Sequence, residues 1–438
     1  MTEVTHLPTR LPTETGKGRV FLFLQGPHGP FFAQLAKRLR HAGATAWRIG
    51  FNAGDRAFWP DGSHYMAFRA TRAQWPDFLE EALSKHSVTD LVVYGDTRWM
   101  HAQAITTARA RGLTVHVFEE GYLRPYWVTY ERGGSNGHSP LMRMSLEEMR
   151  AAHPKGTPTV PPGHWGNMRS HVFYGALYHA CVIGLNRGYP AFRPHRSLNA
   201  RQEFWLYLRR LLLMPLQGLE RRLATFRIKH GGFPYHIALL QLEHDASFRA
   251  HSSFETQEQV LTQIIAGFAA GAPAHHHLVF KAHPLEDGRV PLRRDIRRLA
   301  RAQGVGARVR YLRGGKLAGV LQDARSAVTV NSTAGQQALW RGIPLKALGR
   351  AVYNQPGLVS DQPLPEFFAD PVPPDPATYR TFSRFLLQTS QVPGSYYSGR
   401  GRAKLLRQMV DLMVSDQDRY LAHTAASAAQ RQQLRVVE

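Results

Sequence analysis

The sequence predicts an α/β protein of two Rossmann-like domains facing a cleft, with a helical interdomain insert and C-terminal helices. Apolar runs alternate with helically spaced segments from Arg19 to Phe118. The same alternation restarts at Tyr235 and runs to Leu348. Strands alternating with helices imply parallel sheets with right-handed crossovers. The chain has 438 residues, more than one compact domain usually holds.

In the first half, Val20–Leu24 is a short apolar strand ending in Gln25-Gly26-Pro27-His28-Gly29-Pro30. Phe31, Phe32, Leu35 and Leu39 then fall at helical spacing and stop near Gly43. Ala44–Ile49 predicts a second strand and Trp75–Leu83 a helix. Asp90–Tyr94 predicts a third strand ending in Gly95-Asp96-Thr97-Arg98. His101–Ala110 predicts a helix and Leu113–Phe118 a fourth strand. Gly26 and Gly29 do not form a G-x-G-x-x-G fingerprint, which disfavours NAD or FAD.

Residues 140–232 break the pattern. A proline-rich piece, Pro154–Pro162, leads into an aromatic and arginine-rich stretch in which Phe204–Leu223 reads as a helix, with Arg201, Arg221, Arg222, Arg227 and Lys229 around it. Apolar and basic residues together suit a membrane-surface helix; they also suit an interdomain helix whose apolar side is core. The second half places strands at Tyr235–Leu240, His277–Phe280, Val309–Leu312, Ala327–Val330 and Ile343–Leu348, with helices at Val260–Phe268, Leu292–Ala302 and Leu317–Leu321. The predicted organisation is a disordered lead-in over 1–18, an N-terminal Rossmann-like domain over 19–150, a helical basic-aromatic linker over 151–232, a C-terminal Rossmann-like domain over 233–395 and terminal helices over 396–438.

The charge stands out. Lys and Arg number 55 against 32 Asp and Glu, for a net charge of +23. That excess favours anionic partners: nucleic acid, an anionic membrane surface or phosphorylated substrates. No RRM, KH or zinc-finger pattern supports nucleic acid. Cys181 is the single cysteine, so an intramolecular disulfide and a cysteine-based zinc site are both excluded. No run of about eighteen apolar residues predicts a membrane span. The polar stretch Met1–Lys17 lacks the apolar core of a signal peptide. A soluble or peripheral protein of the cytoplasm is expected.

The chemistry-bearing residues cluster at predicted strand ends. Glu119 and Glu120 leave the strand Leu113–Phe118, ahead of Gly121-Tyr122-Leu123-Arg124-Pro125. A carboxylate beside a cation at such an edge can serve as acid, base or nucleophile. Neighbours on an extended segment point to opposite faces, so one of the pair faces the cleft and the other is expected to pair with a base such as Arg124. Asp96, Arg98 and His28 converge on the same edge. Ser135-Asn136-Gly137-His138-Ser139 is either a substrate loop or a plain turn. In the second half, Lys281-Ala282-His283-Pro284 and Asn331-Ser332-Thr333 end neighbouring strands, and together they read as a phosphate grip. Gln241 and Asp245 either meet a base or ribose or form a capping turn. The run His275-His276-His277 is a poor metal site because adjacent side chains diverge, and no metal is expected.

These motifs, in this order, resemble the KpsS/KpsC family of capsule polysaccharide biosynthesis proteins of Gram-negative bacteria. The resemblance covers roughly residues 19–395, and the single copy of each motif is nearer the KpsS branch. It implies a glycosyltransferase-B-like fold and a retaining β-Kdo transferase. The donor would be CMP-β-Kdo, the acceptor an anionic phosphatidylglycerol lipid at the inner membrane, and the product the start of a poly-Kdo linker. No cofactor is implied beyond that donor; other capsule assembly proteins are expected partners and nucleic acid is not. Glu120 would be the nucleophile, standing where related modules carry aspartate, with Glu119 and Asp96 the other catalytic carboxylates. His283 and Ser332-Thr333 would hold the CMP phosphate. Arg124 or Arg98 would take a carboxylate or lipid phosphate, since arginine pairs bidentately with both. Two alternatives stand beside this reading: a non-catalytic capsule assembly or export factor, and a transferase with another CMP- or CDP-activated donor.

Overall fold

The computed structural model describes residues 16–124, 126–152, 168–193, 200–284, 286 and 288–420. The proline-rich piece Pro154–Pro162, most of the predicted lead-in, Pro125 and the tail beyond residue 420 lie outside the described residues. The chain divides into two compact units. One comprises residues 1–140, 152–194 and 385–438, the other 141–151 and 195–384.

The first unit is built on a seven-stranded sheet. Its strands are β1 (Val20–Phe23), β2 (Thr45–Gly50), β3 (Tyr65–Ala67), β4 (Asp90–Tyr94), β5 (Thr114–Glu120) and β6 (Trp127–Arg132), with a late strand supplied by Gln391–Pro393. β1 lies between β2 and β4 and pairs with both in parallel. β5 pairs in parallel with β4 and antiparallel with β6. The late strand then adds to β6 in antiparallel sense. Alternation along each strand feeds two cores. Phe21, Phe23 and Phe118 pack with Phe31, Leu35, Leu39, Leu405 and Met409 on one face. Leu22, Leu91, Val93 and Val117 pack with Trp75, Leu79, Leu83 and Ile105 on the other. Helices on both faces make this a doubly wound sheet, with its strand order reversing between β1 and β4.

At the opposite, N-terminal edge the sheet is pinned by a buried ion cluster. Asp90 accepts from Arg19 Nε at 2.8 Å and lies 2.7 Å from His116 Nε2. Burial alone would raise this carboxyl, but the hydrogen bonds from Arg19 and His116 hold it well below the usual carboxylate range.

The second unit holds five parallel strands: β7 (Tyr235–Leu239), β8 (His277–Lys281), β9 (Val309–Leu312), β10 (Ala324–Thr329) and β11 (Leu345–Ala347), in the order β11-β10-β7-β8-β9. The strand following β11 in sequence is the late one of the first unit, β12 (Gln391–Pro393). The order reverses between β7 and β10. One core unites Ala238, Phe280 and Val328 with Leu261, Ile265, Phe268 and Ile296.

Three features differ from the sequence expectation. β6 was not anticipated, because Gly121 turns the chain back into a strand instead of into a helix. The chain re-enters the first unit at Phe385, ahead of the expected boundary at 395, because β12 and the helix Gly399–Val414 complete that unit's sheet and core. The stretch 151–232 is not one linker, since the helix Met168–Leu185 belongs to the first unit and the helix Ala200–Lys229 to the second. On the latter helix Leu216, Leu219, Leu223 and Phe226 recur at spacings of three and four and are exposed, Leu216 at 66% and Phe226 at 61%. Ile228 is buried, and Arg222 and Arg227 are exposed neighbours of the apolar stripe. Among the described residues no helix is long and apolar enough to cross a membrane.

Candidate active site

In each unit the candidate residues lie at the carboxyl ends of the strands, where open α/β sheets bind ligands. In the first unit, β5 alternation separates the two glutamates. Glu120 shares the face of Phe118, and its Oε1 accepts from Tyr94 Oη at 3.0 Å and from Tyr397 Oη at 3.4 Å. Tyr396 lies beside them and donates to the Glu119 carbonyl at 2.8 Å. Burial, and next the charge of Glu120, push the Tyr94 and Tyr397 phenols well above their ordinary value. Both therefore stay protonated and act as donors that fix the carboxylate. Glu119 faces the other way. Its Oε1 accepts from the Glu120 backbone N–H at 2.9 Å, and its Oε2 sits 3.4 Å from where a Cβ on Gly95 would be.

Arg124 does not follow the expectation of pairing with the second glutamate. It is exposed, and its Nε donates to the Gly121 carbonyl at 3.3 Å, across its own tight turn. Arg98 reaches from the end of β4 to the Gln25 carboxamide at the end of β1. Gln25 Nε2 in turn donates to Tyr178 Oη at 2.8 Å and to Asp55 Oδ2 at 3.3 Å. Arg98 and Gln25 thus span the point where strand order reverses. His28 stacks on Tyr178 with centroids 4.4 Å apart. Asp96 is buried, and its Oδ2 accepts from the Ser135 backbone N–H at 2.8 Å and lies 3.2 Å from His138 Nδ1. Those contacts make Ser135–Ser139 a built loop. Behind it, Glu131 accepts from the hydroxyls of Tyr122, Ser139 and Tyr420. Burial pushes its carboxyl up to about 7 against those hydrogen bonds.

In the second unit, Gln241 and Asn331 bridge the other reversal point with reciprocal bonds. Gln241 Nε2 donates to Asn331 Oδ1 at 2.7 Å, and Asn331 N–H donates to Gln241 Oε1 at 3.0 Å. Asn331 Nδ2 also donates to the Ser247 carbonyl at 3.0 Å. The amides of Gln241 and Asn331 are thus engaged in shaping the strand ends. Asp245 caps the helix Ala246–Ala250, its Oδ1 accepting from Ser247 N–H. Ser332 and Thr333 are half-buried where the chain leaves β10. The Ser332 carbonyl is held by Tyr353 Oη at 2.6 Å, and its Oγ accepts from Ala334 N–H. The helix after them, Gly335–Trp340, has only six residues. Lys281 is buried and donates to the Gly314 carbonyl at 3.0 Å. Burial, and next the charge of Arg221, lower its ammonium to about 8. Pro284 Cα lies 3.7 Å from where a Cβ on Gly314 would be, so His283-Pro284 borders this same loop. Gly314 and Gly315 both have left-handed backbones, φ +58° and +87°, and Arg313 and Lys316 flank them.

His276 Nδ1 lies 3.0 Å from buried His236 Nε2, whose Nδ1 meets Ser326 Oγ. Burial lowers these two imidazoles to about 4 and about 3, so they form a neutral core pair.

Sequence reasoning missed Tyr94, Tyr397 and the pairing of His138 with Asp96, and it missed the loop Arg313-Gly314-Gly315-Lys316. The loop was legible as paired glycines after an apolar run. Tyr396-Tyr397, flanked by Gly394 and Gly399, left a weaker signal because its role depends on a sheet partner 277 residues away.

Residues 89–397, which contain both strand-end clusters apart from Gln25 and His28, match the family of capsule polysaccharide biosynthesis proteins. The chain belongs to that family. This capsule polysaccharide biosynthesis protein is 31% identical over 385 residues to the capsule polysaccharide export protein KpsS of Escherichia coli, covering 87% of this chain and 97% of that one. It is 33% identical over 389 residues to the capsule polysaccharide modification protein LipB of Neisseria meningitidis serogroup B, covering 86% and 91%. Among solved structures, the β-Kdo 2,7 transferase part of KpsC from Thermosulfurimonas dismutans is similar at a TM-score of 0.42 and 13% identity, covering 90% of this chain and all of that one.

Proposed function

We propose that this protein is a retaining glycosyltransferase that moves β-Kdo from CMP-β-Kdo to a phosphatidylglycerol lipid, starting a poly-Kdo linker. The observation that carries the reading is Glu120, a carboxylate at the end of β5 held by the hydroxyls of Tyr94 and Tyr397. A nucleophile needs a fixed trajectory and an accessible lone pair, and two phenol donors on one oxygen provide the first while leaving the second oxygen for attack. Glu120 attacks the ketosidic carbon, the bond to the CMP phosphate breaks, and CMP leaves. His283, Ser332, Thr333 and Lys281 stabilise the departing phosphate. The acceptor hydroxyl then displaces Glu120, and two inversions give retention. Arg98 or Arg124 would take the Kdo carboxylate or the lipid phosphate.

The acceptor side is supported by surface chemistry. The exposed stripe Leu216, Leu219, Leu223 and Phe226, with Arg222 and Arg227 nearby, suits an anionic leaflet, as does the net charge of +23. The protein would then act peripherally at the cytoplasmic face of the inner membrane, beside other capsule assembly proteins. The test is CMP release from CMP-Kdo with short-chain phosphatidylglycerol, comparing wild type with Glu120→Gln. Acceptor-dependent release that the variant loses supports the reading. Turnover retained by the variant moves the nucleophile to Glu119, and no turnover by the wild type contradicts it.

A second reading has its own support. The relatives' names include export as well as modification. A non-catalytic assembly factor would need no aligned carboxylate, so it predicts that Glu120→Gln leaves capsule assembly unchanged.

A further inference from the structure

Asp96 follows Gly95, whose left-handed backbone (φ +70°) turns the chain sharply at the end of β4. Its side chain is 3% exposed, whereas that of His138 is 46% exposed. Asp96 Oδ2 takes the Ser135 N–H and faces His138 Nδ1. Asp96 Oδ1 is buried with no hydrogen-bond partner among the described residues. A buried carboxylate on one ring nitrogen places the proton on Nδ1 and makes Nε2 the basic atom. The turn that carries His138 is itself held in place. Asn136 N–H donates to Tyr122 Oη at 2.6 Å, and Tyr122 Oη donates to Glu131 at 2.6 Å. Tyr122 lies two residues beyond Glu120. Gly95, next to Asp96, is the residue whose Cβ position Glu119 Oε2 approaches. The imidazole, through Asp96 and Asn136, and Glu119, beside Gly95, are therefore tied to the ends of β4 and β5, the second of which also carries Glu120.

We propose that His138, oriented by Asp96, takes the proton of the incoming acceptor hydroxyl. This inference rests on the transferase reading above and gives the second half-reaction its base. In that step the acceptor oxygen bonds to the ketosidic carbon and the bond from that carbon to Glu120 breaks. The electron pair returns to the Glu120 carboxylate, and the hydroxyl proton passes to His138 Nε2. Asp96, expected from the sequence to be a catalytic carboxylate, is the positioning residue of the pair.

The experiment uses the full chain with CMP-Kdo and short-chain phosphatidylglycerol, following CMP, lipid product and the intact protein mass. His138→Gln is expected to release one equivalent of CMP and accumulate Kdo-modified protein, while transfer falls about 10²–10⁴-fold, the usual worth of general base catalysis. Added imidazole is expected to restore transfer in His138→Gly, which a purely structural role would not allow. Asp96→Asn is expected to lower kcat for transfer without raising KM for CMP-Kdo. Normal transfer by His138→Gln overturns this inference alone. Absence of CMP release by the wild type overturns the transferase reading and this inference with it.

Discussion

Tyr94 donates its phenolic proton to Glu120 Oε1 at 3.0 Å, from the strand beside the one that carries Glu120. A hydrogen bond to a charged group is worth about 1.5–3 kcal/mol. Tyr94→Phe is therefore expected to slow CMP release roughly 10- to 100-fold with little change in thermal unfolding. Tyr397→Phe, whose contact is longer at 3.4 Å, is expected to cost less. Steady-state CMP release checks both.

Asn331 and Thr333 are two residues apart and should behave differently. Asn331 is buried and ties β10 to Gln241, Ser247 and His251. Asn331→Ala leaves several buried groups unpaired, at about 1–3 kcal/mol each, so it should lower the unfolding midpoint. Thr333 is half-buried, and its replacement by Val should leave the midpoint unchanged while raising KM for the CMP-sugar. Denaturant unfolding and donor titration separate the two outcomes.

Lys281 gives a pH dependence to donor binding. With its ammonium lowered to about 8, its positive charge is lost as pH rises through that value. Affinity for a phosphate-bearing donor should fall between roughly pH 7.5 and 9 in the wild type. Lys281→Arg, always charged, should flatten that limb. Calorimetric titration with CMP across this range is the measurement.

Stability should respond to pH from both sides. Asp90 is held below its ordinary value of 3.8, so its contribution is present above that value and is lost as pH falls. Glu131 is raised from 4.5 to about 7, so its contribution is fully present below 4.5 and is lost as pH rises through 7. The Glu131 effect amounts to about 3 kcal/mol at most. Glu131→Gln should flatten the upper limb and leave the acid limb intact, and Asp90→Asn should do the reverse. Urea unfolding from pH 3 to 8 checks this pair.

The apolar stripe on the helix Ala200–Lys229 leads to a membrane test. Leu219→Gln with Phe226→Gln should reduce co-sedimentation with phosphatidylglycerol vesicles and leave thermal unfolding unchanged, since both side chains are exposed. Each cation near an anionic surface is worth about 1 kcal/mol, so Arg222→Ala with Arg227→Ala should weaken binding by an order of magnitude or more. Equal binding to neutral vesicles would contradict the electrostatic part.

Much of this architecture was legible because buried parallel strands are short apolar runs with chemistry at their ends. Val20–Leu24, Asp90–Tyr94, Tyr235–Leu240 and His277–Phe280 announce themselves in that way, and Asp96, Glu120, His283 and Ser332 follow such runs. Three things were hidden. β6 and β12 pair antiparallel after tight turns, and a three-residue strand such as Gln391–Pro393 carries no periodicity. The donors to Glu120 are set by tertiary pairing: Tyr397 arrives from the far end of the chain. Charge alone did not reveal what each cation touches. Arg124 closes its own turn, Arg98 reaches Gln25, and Lys281 is buried against Gly314.

In the proposed reaction Glu120 forms a bond to the sugar. Protein incubated with CMP-Kdo without acceptor, quenched in acid and digested, should yield a Kdo-modified peptide with the modification on Glu120. Addition of phosphatidylglycerol before quenching should remove it. A modification on Glu119, or none while wild-type transfer proceeds, would contradict the assignment.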